Sequence, residues 1–529
     1  MIKEKYFLLT TLIAIISALI TYYYSQFHYD GHHYSLVFDN SLDFINGKKP
    51  FKEIFLLYGI GTVLFHSLAI IIFGEHLQSL MLFTSIIYSL SLIFIFFLSN
   101  KFINKNYSFY LVLIIFLIHP VVEYPWANYL VFFLFLFALN LIFLSNKTLF
   151  TFSCLLIGFC SLIRVEIILY ILSIFLYISY MSFRNKDFNQ NFKLGKNLYF
   201  LVISFLPIIF FLIYLKSNDL LEYYKNFFSL SEIYLEHKNT NVFNLFLNLI
   251  KYLYFFKFSK FFFEPYLLIF AFSLIFNLYY IFKCLVFSLN NEKLTVKKIQ
   301  LSVVSVISIL FITQSLNEIN VFRLICGSSL GFITIFYYLE KLNKKYSAYI
   351  ILAIILISFS SLSLFQRNNS NTIFKYKSEI QKSIPNSLSY FSKNIYKKDT
   401  TNNLQTADKI FKKIKDQCNI TYFANLQKDI AYRLLAKKYY KTFKIVPFYE
   451  EKKESYAFVK YFDNDFFLNL KKLIDKNQVV IIVDYKNLKY IKFNTDIIYF
   501  KNYKISKILP FSYEQKLKVI LTPKNCNLE

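Results

Sequence analysis

Long apolar stretches recur along the first 365 residues of the chain and then stop. An α-helix needs about 20 apolar residues to cross the roughly 30 Å hydrocarbon core of a bilayer. The pattern therefore predicts a polytopic α-helical membrane protein with about eleven spans. We place them near 6–24, 68–98, 107–120, 128–145, 148–164, 166–183, 198–215, 265–287, 299–315, 323–340 and 346–365.

The loops between the predicted spans differ in charge. With the N-terminus inside, every short cytoplasmic loop carries Lys or Arg, whereas the outer loops at 119–128 and 315–322 carry neither. This is the asymmetry that the positive-inside rule describes. An odd number of spans places residues 366–529 outside, and the loss or fusion of one span within 148–183 would reverse that prediction.

A different pattern follows the last span. Residues 366–405 are polar and are interpreted as a linker between the membrane module (1–365) and a C-terminal domain (406–529). In that domain helical patterns at 407–415, 429–438 and 466–476 alternate with strand patterns at 420–423 and 478–484, which predicts an extracytoplasmic α/β domain. Cys418 and Cys526 both lie in it and can pair if the compartment is oxidising.

Composition supports a membrane protein and argues against a soluble domain or a nucleic-acid-binding protein. Hydrophobic residues make up 56% of the 529 residues, more than a soluble domain of this size needs. The net charge of +27 accompanies a general excess of Lys, Asn, Ile, Phe and Tyr, so Lys fills ordinary polar positions. No basic helix carries interleaved readout residues, and we therefore expect no nucleic-acid partner.

The first outer loop, residues 25–67, concentrates unusual polar chemistry. Four of the seven His lie in it, and Asp30 follows the first span closely enough to sit near the depth of lipid phosphates. Apolar residues recur at helical spacing over 36–44 and 51–64, which predicts short amphipathic helices on the membrane surface.

Further polar groups fall on the same predicted side of the membrane. Glu123 and the only tryptophan, Trp126, share one outer loop, and Arg323 follows another. Arg164 and Glu166 stand between two spans, where each charge would cost about 2.5–3.5 kcal/mol at the bilayer centre. Such groups suit an anionic lipid-linked substrate, because a carboxylate can activate an acceptor and cations can hold a phosphate leaving group.

Several short motifs in and after this loop resemble those of bacterial integral-membrane GT-C glycosyltransferases, the superfamily of the protein O-mannosyltransferases and the lipid A aminoarabinose transferase. The matching segments are Asp30-Gly31-His32-His33, Asn46-Gly47-Lys48, Phe51-Lys52-Glu53-Ile54-Phe55-Leu56-Leu57-Tyr58-Gly59, Phe73-Gly74, the Pro125-Trp126 loop and the Gly158, Arg164, Glu166 spacing. The chain departs from the family pattern at two places, since Tyr34-Ser35 replaces Asp-Gly and Glu53 replaces Asp.

The resemblance implies a transferase of the bacterial inner membrane that moves a sugar from a polyprenyl-phosphate donor to a lipid or glycan acceptor on the outer face. By position, the role of the first-loop acid falls on Asp30. We group His32, His33 and Glu53 with it as catalytic candidates. The substrate-binding candidates are Tyr58, Glu123, Trp126, Arg164, Glu166 and Arg323.

Other interpretations stay open for the same residues. Asp30 can cap a surface helix, Trp126 can anchor the chain at the interface, and Arg164 can pair with Glu166 as a structural ion pair. A divalent metal ion beside the histidines is an alternative, although no third ligand has supporting spacing. The alternative functions are a polysaccharide polymerase or flippase of the O-antigen type and a non-catalytic transporter or scaffold.

Overall fold

The computed structural model describes most of the chain. The described residues are 2–27, 33–54, 56, 58–122, 125–144, 146–184, 194–225, 241–254, 267–290, 294–316, 321–359, 398–426, 431–442, 464–485, 488–493, 496–509 and 517–526. They form two compact units, which are described separately. The helical unit comprises 1–24, 84–214 and 241–371, and the loop–sheet unit comprises 25–83, 215–240 and 372–529.

Helices dominate the first two thirds of the chain. They are α1 (Ile2–Phe27), α2 (His33–Ile45), α3 (Ile60–Phe73), α4 (Leu77–Ser99), α5 (Lys105–Ile118), α6 (Ala127–Ile142), α7 (Lys147–Cys160), α8 (Ile167–Arg184), α9 (Leu194–Ser217), α10 (Val242–Tyr254), α11 (Leu267–Leu289), α12 (Val296–Ile312), α13 (Val321–Leu339) and α14 (344–359).

Length and composition make this a multi-pass membrane protein. Among the described residues, six helices are long and apolar enough to cross a bilayer, and five shorter apolar helices accompany them. Large side chains such as Phe210, Ile213 and Val202 on α9 are more than half exposed, which suits contact with hydrocarbon better than with water. The polytopic helical class is confirmed, whereas the count of about eleven spans stays a prediction.

The segment predicted as one span at 68–98 is two helices, so that prediction is wrong. Gly74 has a φ of 102°, in the region that side chains rarely adopt, and it ends α3. The Ser79 hydroxyl donates to the Gly74 carbonyl at 2.6 Å, and α4 starts just before it at Leu77. A break at glycine with local side-chain capping leaves the hydrophobic pattern unchanged, so periodicity alone does not reveal it.

The helix predicted over 51–64 is also wrong at its start. Phe51 has a φ of 63° and begins a turn, and α3 begins only at Ile60. A left-handed residue that is not glycine is strained, and here the burial of the Phe51 ring against Tyr224, with ring centroids 5.0 Å apart, holds it. The predicted helix at 36–44 lies within α2 and is confirmed, but α2 is buried along ten consecutive residues.

Small residues bring α11, α12 and α13 together inside the helical unit. A Cβ atom at Gly331 would overlap the Asn277 amide and the Ser273 hydroxyl, so glycine permits this approach. The Thr334 hydroxyl donates to the Asn277 side-chain oxygen at 3.1 Å and lies 2.9 Å from the Ser305 hydroxyl. Small residues and interhelical hydrogen bonds are the usual means of association in a bilayer, where burial of apolar surface gives no driving force between helices.

The C-terminal region is an α/β domain, as predicted. It contains the helices α15 (Lys398–Gln417), α16 (Ala431–Ala436) and α17 (Asn464–Asp475), and the strands β1 (Tyr422–Leu426), β2 (Lys441–Thr442), β3 (Val479–Asp484), β4 (Tyr490–Phe493), β5 (Asp496–Tyr499), β6 (Tyr503–Leu509) and β7 (Lys518–Pro523). The main sheet has the order β2-β1-β3-β7-β6. The first three strands are parallel, β7 and β6 are antiparallel, and β4 pairs with β5 separately.

A disulfide joins Cys418, just after α15, to Cys526, just after β7. The two residues are 108 positions apart, so the bond closes nearly the whole domain into a loop. Such a long closure restricts the unfolded chain strongly. The pairing that the sequence allowed is therefore present.

Candidate functional site

The first-loop candidates are described only in part. Asp30, His32 and, in the later loop, Glu123 lie outside the described residues, so their predicted roles stay predictions. His33 is half-buried and begins α2, three positions after Asp30 in the sequence.

Glu53 and Tyr58 belong to the turn that joins α2 to α3. The Glu53 side chain is exposed, and its carboxylate accepts a hydrogen bond from the Lys49 backbone N–H at 2.7 Å. That bond supports the turn locally, whereas the predicted catalytic role of Glu53 is untested. Tyr58 is half-buried just before α3 begins.

Trp126 and Arg323 come together at one end of the helical unit. The Arg323 guanidinium lies 4.4 Å from the centre of the Trp126 ring, within cation–π range. Trp126 is buried directly before α6, and Arg323 is half-buried in the first turn of α13. The pair gives this end of the unit a positive group on a flat, fixed ring.

Arg164 and Glu166 form an ion pair in the turn between α7 and α8. Arg164 donates through Nε to Glu166 Oε1 at 2.7 Å, and its Nη2 atom lies 2.5 Å from the same oxygen. The Arg164 side chain is 19% exposed and that of Glu166 is 32% exposed, so both reach solvent. Gly158 in the same motif lets α7 approach the Ser204 carbonyl of α9, because a Cβ there would collide with it.

Sequence reasoning missed a hydrogen-bonded triad beside Trp126. The Tyr88 hydroxyl donates to the His119 backbone carbonyl, and the two His119 ring nitrogens lie 3.1 Å from the Tyr88 hydroxyl and 3.2 Å from the Tyr129 hydroxyl. The Tyr129 ring meets Trp126 edge to face at 6.0 Å. A histidine followed by a proline at the end of the predicted span 107–120 was the only signal, and it did not indicate its partners.

The loop that carries Trp126 is held to a second helix as well. Ser17 of α1 donates to the Pro120 carbonyl at 3.2 Å, and Thr21 accepts from the Val122 N–H at 3.4 Å. Next to Trp126, the Asn128 side chain is fully buried and its amide has no hydrogen-bond partner within the described ranges. A buried, unpartnered amide costs free energy and is a natural contact for a bound polar group or water.

Two helices next to these groups, α6 and α8, pack against the end of α12. Phe311 packs against Phe135 of α6 at 5.2 Å and against Tyr170 of α8 at 5.8 Å. The Tyr170 and Thr313 hydroxyls are 2.8 Å apart, which ties the turn after Arg164 to the end of α12. These contacts tie α6 and the beginning of α8 to the end of α12 within the helical unit.

Two acidic residues that the sequence analysis passed over lie buried on α2. Asp39 and Asp43 face Arg433 of α16 and Lys437 just after it, all within the loop–sheet unit. Arg433 pairs with both carboxylates, at 3.3 Å for Asp43, and Lys437 does the same, at 2.7 Å for Asp43. The pKa of Lys437 is lowered to about 7, mainly by burial and also by the neighbouring Arg433, while Asp43 opposes the shift.

Metal binding has no structural candidate in the described part of the chain. There, no three His, Cys, Asp or Glu side chains come together as ligands. The imidazole and carboxylate groups at residues 28–32 fall outside that part, so the question of a metal at the first loop is untested.

Comparison with known proteins identifies the fold. No family model and no curated protein matches the sequence. The structure of ArnT from Cupriavidus metallidurans bound to undecaprenyl phosphate matches with a TM-score of 0.53 and 9% identity, covering 96% of this chain and 97% of that one. The oligosaccharyltransferase of Archaeoglobus fulgidus, in complex with Zn and sulfate, matches with a TM-score of 0.51 and 12% identity, covering 92% of this chain and 68% of that one. The chain thus has the GT-C-like fold that its first-loop motifs predicted.

Proposed function

We propose that this protein is a membrane glycosyltransferase that moves a sugar from a polyprenyl-phosphate donor to a lipid or glycan acceptor. The observation that carries the proposal is the nearly end-to-end fold match to a transferase whose structure holds undecaprenyl phosphate. The match spans both the helices and the C-terminal α/β domain. The motifs around Asp30 and Arg164 support the same reading independently of the fold.

The reaction exchanges one bond at the anomeric carbon of the sugar. Asp30 accepts the proton of the acceptor hydroxyl while that oxygen bonds to the anomeric carbon. The bond from that carbon to the phosphate oxygen breaks, and its electron pair leaves with polyprenyl phosphate. The products are the glycosylated acceptor and the polyprenyl phosphate anion, with the proton on Asp30. His32 and His33 orient the carboxylate in this scheme.

The departing phosphate needs fixed positive charge. Arg323 and Arg164 are the candidates, and their settings differ. Arg323 stacks on Trp126, whereas Arg164 is already paired with Glu166. A guanidinium held over an aromatic ring is preorganised and binds phosphate oxygens through its fork. We therefore assign the phosphate to Arg323 first and to Arg164 second, with Glu123, Glu166, Trp126 and Tyr58 contacting the substrates.

We place the C-terminal domain and the first loop on the outer face of a bacterial inner membrane. The Cys418–Cys526 disulfide supports this orientation, because such bonds persist in oxidising compartments and are rare in the cytosol. The basic inner loops support it by a separate physical effect.

The polymerase, flippase and transporter alternatives have less support. The folded domain follows the last predicted span instead of interrupting the helices, and the two fold matches above are to transferases. Transporters usually place polar groups near the bilayer midplane in broken helices, whereas the polar candidates here lie at helix ends and loops.

The purified full chain in proteoliposomes provides the direct test. Synthetic polyprenyl-phosphate sugars, each with one radiolabelled hexose or pentose, would be offered with a bacterial lipid and glycan extract as acceptor. We expect label to move from one donor into the acceptor fraction with release of polyprenyl phosphate in equal amount. Intact donor in every case, alongside movement of the sugar-bearing lipid across the bilayer, would contradict the proposal and favour a flippase.

A further inference from the structure

The first loop and the C-terminal domain are joined by four charged residues, of which Asp39, Asp43 and Arg433 are buried and Lys437 is half-buried. Asp39 and Asp43 lie one turn apart on α2, and Arg433 and Lys437 are likewise four positions apart. Side chains at this spacing share one helical face. Each of these two cations contacts both carboxylates, and Lys48 adds a third cation 2.8 Å from Asp43 Oδ1, so the cluster holds two acids and three bases.

Because these charges are buried, each of them needs its partners to offset the free-energy cost of removal from water. The Arg433 side chain is 3% exposed, that of Asp39 is fully buried and that of Asp43 is 5% exposed. Charges removed from water are tolerated only when they are paired and hydrogen-bonded, and loss of one partner leaves an uncompensated charge. The relative placement of the two segments is therefore set by charge geometry as well as by packing.

The cationic side of the arrangement is anchored firmly in the α/β domain. All six residues of α16 are buried, and α16 lies between the parallel strands β1 and β2 in the sequence. Just beyond Lys437, the Tyr439 hydroxyl donates to Asp408 of α15 at 3.1 Å and the Tyr440 hydroxyl donates to the Phe411 carbonyl at 2.7 Å. The two cations thus project from a rigid base.

The acidic side belongs to the helix that follows the proposed catalytic carboxylate. Asp39 is six residues into a helix that begins at His33, and Asp30 precedes that helix by three positions. A helix transmits a displacement along its length because its backbone is hydrogen-bonded throughout. Misplacement of a catalytic group by about 1 Å can cost about 100-fold in rate.

We propose that Arg433 and Lys437 are positioning residues, through which the C-terminal domain fixes α2, the helix that follows Asp30 in the sequence. This inference rests on the proposed transferase function and extends it. The C-terminal domain is then part of the catalytic apparatus.

The test measures donor turnover by full-length variants in proteoliposomes at matched protein levels. Arg433→Gln should lower kcat about 100-fold without changing the KM for the donor, because it displaces the base and leaves the donor site intact. The matched control is Lys413→Met, which removes an exposed cation from α15 of the same domain. It should leave both constants unchanged.

A charge exchange separates positioning from simple loss of folding. Asp39→Arg combined with Arg433→Asp restores one ion pair in reversed orientation and should recover at least part of kcat. Hydrogen exchange of the intact protein adds a second readout. In Arg433→Gln, peptides covering 33–45 should exchange faster while those of α6 keep the wild-type rate.

The outcomes distinguish the inference from the function on which it rests. Wild-type kcat in Arg433→Gln would overturn the inference and leave the transferase intact, and so would faster exchange in every peptide with no recovery on charge exchange. If the wild type transfers no sugar from any donor, the proposed function fails. In that case unchanged exchange over 33–45 in Arg433→Gln would also overturn the positioning of α2.

Discussion

Arg323 gains its proposed role from the ring beneath it. Its guanidinium lies over the buried Trp126, which Tyr129 and the His119 triad hold in place. Both residues were candidates from the sequence, because a lone tryptophan and a loop arginine fell on the same predicted side. Their contact was not predictable, since almost 200 residues separate them in the chain.

The stacked guanidinium predicts that lysine is a poor substitute at position 323. An ammonium group keeps the charge but loses the planar fork that binds phosphate oxygens and the extended contact with the ring. We expect Arg323→Lys to lower kcat/KM for the donor about tenfold, a loss of roughly 1.4 kcal/mol of transition-state stabilisation. Arg184→Lys, an exposed arginine at the end of α8, is the matched control. Equal kcat/KM in the two variants would argue against the phosphate role.

The lowered pKa of Lys437 predicts that the stability of the protein depends on pH. Its pKa is lowered by burial from 10.5 to about 7, while Asp39, Asp43, Arg433 and Lys48 face it. Between these values the unfolded chain binds more protons than the folded chain, so this group makes stability rise with pH above 7. The penalty for burying the charged amine is fully present below pH 7.

Thermal unfolding in detergent between pH 7 and 8.5 checks this dependence. The Tm of the wild type should rise across the interval more steeply than that of Lys437→Met, which has no titrating group there. Lys412→Met removes an exposed lysine and should keep the wild-type slope. Parallel slopes for the wild type and Lys437→Met would show that Lys437 does not titrate in this range.

At the scale of elements, hydrophobic periodicity predicted most helices but not where they break. The run of apolar residues through 68–98 continues past Gly74, where a positive φ and the Ser79 cap end one helix and start another. The Phe51 turn was hidden for a similar reason, because its strain is compensated by contact with the distant Tyr224. Local conformations that depend on distant partners leave no periodic signal.

The contact of α13 with α11 predicts a sharp intolerance at Gly331. A leucine there must displace Ser273 and Asn277 from a hydrogen-bonded interface, which should cost about 1–3 kcal/mol. We expect a lower Tm for Gly331→Leu in detergent. The control is Ala353→Leu, which enlarges an exposed side chain of α14 and should leave Tm unchanged. An equal Tm for the two variants would mean that the interface relaxes freely.

At the scale of the whole molecule, sequence and structure agree on the class of protein. The motifs around Asp30, Arg164 and Trp126 predicted a GT-C-like fold, and the fold comparison confirms it. The buried cluster of Asp39, Asp43, Arg433 and Lys437 was not predictable, because acids at helical spacing on a loop usually form a solvated face. Only the fold brings their partners from almost 400 residues away.

The side of the membrane on which the C-terminal domain lies can be tested by counting the cysteines that react with an alkylating reagent. The chain has six cysteines, of which Cys418 and Cys526 are paired and four in the helices are free. If the C-terminal domain faces an oxidising compartment, alkylation of the denatured protein should label four cysteines without reductant and all six after reduction. Six labelled cysteines under both conditions would place the domain in the cytoplasm.

The central claim, sugar transfer with Asp30 as the base, is tested most directly by surface glycans. The wild type and Asp30→Asn would be expressed at matched membrane levels in a host that lacks its own copy of the gene, and the glycans compared by mass spectrometry. The account predicts that one defined sugar disappears in Asp30→Asn as completely as in the gene deletion. A full complement of that sugar in Asp30→Asn would remove Asp30 from the mechanism, and glycans unchanged even by the deletion would contradict the transferase function.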